Sequence, residues 1–209
     1  MADTELVIFD FDGVVVDSEV ISARMLVAEL AQHGVDVDLP YIAEHFLGRS
    51  YPVVLAQVRS AFGITLPEGF EADYRARLVE AFRHELRVMA GLRDFVTSLA
   101  VPYCIATSSS PARVAQSIEI AGLGDLFDGR ITTASEVTRG KPAPDLPLRA
   151  GLAARMTVWQ FTGGSHFAGM VPPASPDATP HRTFAEFPEV AHFAPQLLKP
   201  AMRESRTDG

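Results

Sequence analysis

The chain has 209 residues but a single cysteine, Cys104, and only two lysines, Lys141 and Lys199. One thiol forms neither an internal disulfide nor a cysteine-based zinc site. No apolar stretch reaches the roughly 20 residues of a membrane span. The opening MADTELVIFD lacks the basic and apolar regions of a secretory leader. Basic runs are missing as well, and 26 acids against 18 bases leave a formal charge of −8. These absences argue against nucleic acid or membrane as a partner and make a cytoplasmic protein the expectation. None of the six histidines stands at metal-ligand spacing. With 47% hydrophobic and 21% charged residues, the composition is that of a packed globular chain and excludes wholesale disorder.

Strand and helix patterns alternate along the chain. Leu6 to Phe9 is a short apolar run of the kind buried in a parallel sheet, and it stops at Asp10-Phe11-Asp12-Gly13. From Ser18 to about Arg87 the pattern is helical throughout, with Ser18 as N-cap, Gly34 closing the first helix, and further helices over 51–62 and 68–87. Strand and helix then alternate: helix 91–99, strand 103–107, a helix opened by Ser110-Pro111 and ending near Gly122, strand 130–133, and a last strand 157–161. Ten of the 15 prolines lie between Pro142 and Pro200, and 163–183 reads as a long loop. The expected architecture is α/β, a Rossmann-like parallel sheet with a helical insert. The core takes residues 1–14 and 89–209, and a helical cap takes 15–88.

In an open α/β sheet, ligands bind beyond the carboxyl ends of the strands. Asp10 and Asp12 stand at such an end, two apart, so in an extended segment both side chains can face one crevice. Two carboxylates there suit a hard cation such as Mg²⁺, or a nucleophile beside an acid/base. Thr107 to Ser110 ends the second strand just before a helix, where hydroxyls and backbone N–H groups cradle an anion. Lys141 follows the third strand in a turn and can offset charge on a phosphoryl group.

Phe9-Asp10-Phe11-Asp12-Gly13 with Asp17-Ser18-Glu19, the hydroxyl pair Thr107-Ser108, and Gly140-Lys141 leading to Asp145 resemble the haloacid dehalogenase-like hydrolases. Order and spacing resemble the branch with a helical cap, which holds sugar-phosphate phosphatases and β-phosphoglucomutase. The resemblance covers roughly residues 5–165. It implies Asp10 as the nucleophile that forms an aspartyl-phosphate and Asp12 as general acid/base. It implies Gly13, Thr107, Ser108 and Lys141 at the phosphate. Arg49, in Gly48-Arg49-Ser50, would be a substrate contact from the cap. Asp17 and Ser18 would fix the hinge. A phosphomutase using the same residues is a further reading, whereas Asp12 argues against a dehalogenase. Oligomeric state is left open.

The family's fourth motif, a strand ending in one or two acids that complete the Mg²⁺ site, is missing. Only 15 residues separate Lys141 from Thr157, and none from Leu146 to Pro176 is acidic. A strand of about five residues and two helices of about ten cannot fit there. One core strand is therefore expected to be absent, and the Mg²⁺ site incomplete, with Asp10 and the backbone at Asp12 as its ligands. An inactive descendant is the rival reading. Among the remaining residues, His166 after Gly163-Gly164-Ser165 reads as a loop histidine, with a place near the site mouth as the alternative, Trp159 as core, Cys104 as a small buried hydrophobe, and Ser110 as a helix cap.

Overall fold

The computed structural model describes residues 4–46, 51–133, 155–168 and 179–200. The apolar run becomes strand β1 (Val7–Phe9), which pairs in parallel with β2 (Tyr103–Thr107), Phe9 standing opposite Ile105. On its other side β2 pairs in parallel with β3 (Ile131–Thr133). A parallel pair needs a long crossover, and residues 10–102 supply it. They include α1 (Glu19–Gln32), α2 (Leu39–His45), α3 (Tyr51–Phe62), α4 (Phe70–Glu85) and α5 (Leu92–Ser98). Between β2 and β3 lie α6 (Pro111–Ala121) and the short α7 (Gly124–Phe127). The α/β class is as the sequence indicates.

The sheet does not continue as one body among the described residues. Strand β4 (Trp159–Phe161) pairs with β5 (Arg182–Phe184) in a separate parallel pair, and the three-stranded sheet runs β1-β2-β3. The break falls where the fourth motif was expected and not found. Ile8, on β1, is 42% exposed, high for a branched apolar residue in a parallel strand. The reading of 163–183 as loop needs correction. A 3₁₀ turn covers Ser165–Ala168, and β5 begins at Arg182. Three residues among prolines carry no period of their own. The long-range ladder to β4 makes them a strand, with His181 N–H donating to Val158 and Thr162 N–H to Phe184. Helix α2 was also not resolved from sequence, although Asp38 caps it by accepting from Tyr41 N–H at 2.9 Å.

Two apolar clusters form. The larger joins β1, β2, α5, α6 and α7 to the β4–β5 pair and residues 187–198. Phe9 lies edge-on to Phe95, Tyr103 and Phe127, and Phe187 stacks on both Phe95 and Phe161. The smaller cluster is internal to the helical block, with Leu30, Ile42, Val58 and Phe70 in it. Helices α1 and α4 contribute to both, since Ile21, Leu78 and Phe82 pack into the larger one. The chain enters and leaves the helical block side by side, where Val16 bridges Val88 and Asp17 N–H donates to Arg87. Trp159 is half-buried, edge-on to Phe193, and Cys104 is also half-buried instead of fully enclosed.

Phe127 is fully enclosed and touches Phe9 and Tyr103 edge-on. Phe127→Ala is expected to cost about 3–5 kcal/mol of stability, measured as a lowered midpoint in urea unfolding.

Candidate active site

Asp10 and Asp12 leave the end of β1 on either side of Phe11, which is fully buried and fixes the loop against the core. The Phe11 carbonyl accepts from Val15 N–H at 2.9 Å and from Val16 N–H at 3.2 Å, so the chain turns back sharply. That turn needs a residue with positive φ, and Gly13 supplies it at 75°. Asp10 Oδ1 accepts from Phe11 N–H at 2.9 Å.

The Asp12 carboxylate is largely enclosed, with 16% of its side chain exposed. Three groups bind it. Ser18 Oγ donates to Oδ1 at 2.6 Å, Ser109 Oγ to Oδ2 at 2.6 Å, and Arg113 Nη2 to Oδ1 at 2.9 Å. Burial works to raise the Asp12 pKa, but the Arg113 charge and the hydrogen bonds outweigh it and hold the group below the usual value. Glu19 lies close by and goes the other way. Burial first, then the charges of Asp12, Asp10 and Asp17, push it up to about 8 against the pull of Arg113.

Thr107 ends β2, buried, and its Oγ1 accepts from Ser109 N–H at 3.1 Å. Ser108 is exposed beside it. The first turn of α6 follows at once and directs its backbone N–H groups toward the same strand ends. Ser110 does not cap that helix with its side chain; its Oγ accepts from Arg75 of α4 at 2.8 Å. Ser18 likewise makes no capping bond to α1 and gives its hydroxyl to Asp12.

The turn after β4 closes the site from the other side. Ser165 donates to Asp17 Oδ1 from its N–H at 3.1 Å and its hydroxyl at 2.9 Å. His166 is 7% exposed, so it is a buried residue of the site wall and not the loop histidine expected. Burial holds its imidazole below the usual value against the pull of Asp17, leaving it neutral at pH 7. A Cβ on Gly13 would stand 2.8 Å from His166 Cε1, and one on Gly164 would stand 3.1 Å from the Gly13 carbonyl oxygen.

The profile of the haloacid dehalogenase-like hydrolases matches residues 7–155. The chain belongs to this family. A relative in Escherichia coli K12, 6-phosphogluconate phosphatase, is 28% identical over 160 residues, 76% of this chain and 72% of that protein. A haloacid dehalogenase-like protein of unknown function from Agrobacterium tumefaciens superposes with a TM-score of 0.73 at 26% identity, covering 97% of this chain and all of that one. A family hydrolase from Deinococcus radiodurans, solved with bound phosphate and sodium, gives 0.64 at 28% identity over 96% of this chain and all of that one.

The structure of this haloacid dehalogenase-like hydrolase brings Asp10, Asp12, Gly13, Thr107 and Ser108 to one end of the sheet. The expectations for Arg49 and Lys141 lie outside the described residues. Among the described residues, Asp10 and the backbone at Asp12 are the groups that would hold the expected Mg²⁺. Both oxygens of Asp12 are engaged by donors, one of them a guanidinium. No three His, Cys, Asp or Glu side chains among the described residues group around a common point, so water and the substrate phosphate would have to supply the rest of such an ion's oxygen shell.

Sequence reasoning overlooked Arg113, placed Ser109 in the anion cradle and not on Asp12, and gave Glu19 no role of its own. A signal for Arg113 existed. A cation in the first turn of a helix opposes the helix dipole, so an arginine at the third position of α6 calls for a carboxylate partner.

Gly13→Ala is expected to lower the melting temperature by several degrees, because it meets both an unfavourable φ and the His166 ring. Glu19 binds its proton more tightly folded, at about 8, than its ordinary value of 4.5. Its contribution is therefore full below about pH 4.5 and is lost as pH rises toward 8. Melting curves across that window should show the native protein losing stability relative to Glu19→Gln, with the gap level above it.

Proposed function

We propose that this chain is a phosphomonoester hydrolase acting on a small phosphorylated metabolite, a sugar phosphate or sugar-acid phosphate, through an aspartyl-phosphate on Asp10. The observation that carries the reading is the enclosed Asp12 carboxylate, held by Ser18, Ser109 and Arg113 beside Asp10 and directly below the hydroxyls that end β2. The activity named for the Escherichia coli relative supports the substrate class. The acidic net charge does not conflict with a small anionic substrate, which needs only local donors, and the lone cysteine fits a cytoplasmic setting.

In this reading the Asp10 carboxylate attacks phosphorus and the P–O bond to the metabolite breaks. Asp12, ionised at rest, takes the proton of the bound phosphomonoester monoanion and gives it to the departing alkoxide. Water then attacks the aspartyl-phosphate and its proton goes to Asp12. The P–O bond to Asp10 breaks, and Asp12 passes its proton to the departing phosphate, so that both carboxylates are restored. Thr107 Oγ1, the backbone around Ser108 and the start of α6 bind the phosphoryl oxygens. Gly13 keeps the loop free of a side chain that would obstruct them. Lys141 and Arg49 carry the roles the family resemblance implies, at the phosphate and from the cap. Residues 15–88 act as that cap on a core of 1–14 and 89–209, a division supported by the separate apolar cluster and the paired crossing at Val16 and Val88.

One observation favours a second reading, a phosphate-binding descendant without turnover. It is the engagement of Asp12, the expected acid/base, by the Arg113 guanidinium, in a chain that lacks the fourth acidic motif. Hydrolysis of an aryl phosphate separates the two, run with Mg²⁺ and again with chelator. Turnover is expected in the native chain and should fall by at least about 10³-fold in Asp10→Asn. Equal rates for the two proteins in both buffers, with circular dichroism showing both folded, would establish the second reading.

A further inference from the structure

The proton carrier of the proposed reaction is held by a residue outside every family motif. Arg113 stands at the third position of α6. Its Nη2 donates both to Asp12 Oδ1 at 2.9 Å and to Ser22 Oγ of α1 at 3.2 Å, and its guanidinium lies over the Phe82 ring of α4 at 5.5 Å. One side chain thus touches the strand-end loop and two helices of the inserted block at once.

Stability does not account for it. Desolvation offsets most of the attraction in an enclosed ion pair, and Arg113 Nε is buried with no acceptor, which adds a cost. Orientation does account for it. A carboxylate offers about four acceptor positions. At Asp12, Oδ1 receives Ser18 and Arg113, whereas Oδ2 receives Ser109. Oδ1 is thereby saturated, and Oδ2 keeps a lone pair for a reacting proton.

We propose that Arg113 is a positioning residue. It fixes which oxygen of Asp12 serves the reaction, and it ties that orientation to the seating of α1 and α4. The inference rests on the hydrolase reading above. Arg75 provides the internal comparison, because it reaches from α4 to Ser110, just before α6, without touching Asp12. A residue that merely fastened the helical block would behave as Arg75 does.

The test is steady-state hydrolysis of an aryl phosphate by the native chain, Arg113→Ala, Arg113→Lys and Arg75→Ala, with Asp10→Asn as blank. Arg113→Ala is expected to lower kcat by about 10–100-fold, as loss of a partner that orients a reacting group does, with KM little changed. Arg113→Lys should recover part of kcat, and Arg75→Ala should stay near native. Melting curves supply the second readout. Asp12→Asn combined with Arg113→Ala should melt no lower than Arg113→Ala alone, since the pair is lost once. An active native chain whose kcat is indifferent to Arg113→Ala overturns the inference and leaves the hydrolase reading standing, as do additive losses on melting. A native chain no faster than the blank overturns the hydrolase reading and the positioning role with it.

Discussion

A charged carboxylate removed from water must find donors, and at Asp12 that requirement organises the whole site. Ser18 comes from the entrance to α1, Ser109 from the end of β2, and Arg113 from the first turn of α6. Each donor arrives on a different element, so the strand ends, the helical block and α6 meet at one group. Truncating any one of them leaves the others facing an underpaired charge, which is why such networks are held closely once they form. Glu19 shows the other side of the same constraint, because a second negative charge cannot be accommodated there and the group keeps its proton.

The same economy extends to the far wall. His166 is packed against Gly13, and its neighbour Ser165 binds Asp17. The turn after β4 thereby reaches the loop after β1 even though β4 pairs with β5 and not with the main sheet. Side-chain packing and hydrogen bonds maintain the connection that a continuous ladder would otherwise make. The stack of Phe161, Phe187 and Phe95 does the same for the core behind it.

Much of this was legible before any coordinates. Strand 103–107 and helix 51–62 stand at the bounds their apolar patterns indicate, since each is closed by a proline, glycine or serine cluster. Asp10, Asp12, Thr107 and Ser108 converge because strand ends in a parallel sheet lie side by side. What stayed hidden was held by distant partners. Strand β5 exists only through β4, and Arg113 and Ser109 acquire meaning only beside a carboxylate about 100 positions earlier. Ser18 and Ser110 misled for a related reason. A serine before a helix signals a cap, yet Ser18 gives its hydroxyl to Asp12 six residues back and Ser110 accepts from the distant Arg75.

The register of β1 on β2 carries a consequence for how the protein comes off the ribosome. Val7 pairs with Tyr103, so the first strand is finished long before its partner exists. At about 5–20 residues per second, it waits roughly 5–20 s with Leu6, Ile8 and Phe9 unpaired. Helices α1 to α4 are made in that interval, and their mutual contacts, among them the Glu29–Arg77 ion pair, span far shorter lengths of chain. Helical contacts of low sequence separation form quickly, while parallel strand pairing is slow. The inserted block can therefore acquire its own packing first and carry the two ends of the chain side by side, so that the last event, closure of β1 on β2, becomes the local meeting of segments already brought together at Val16 and Val88.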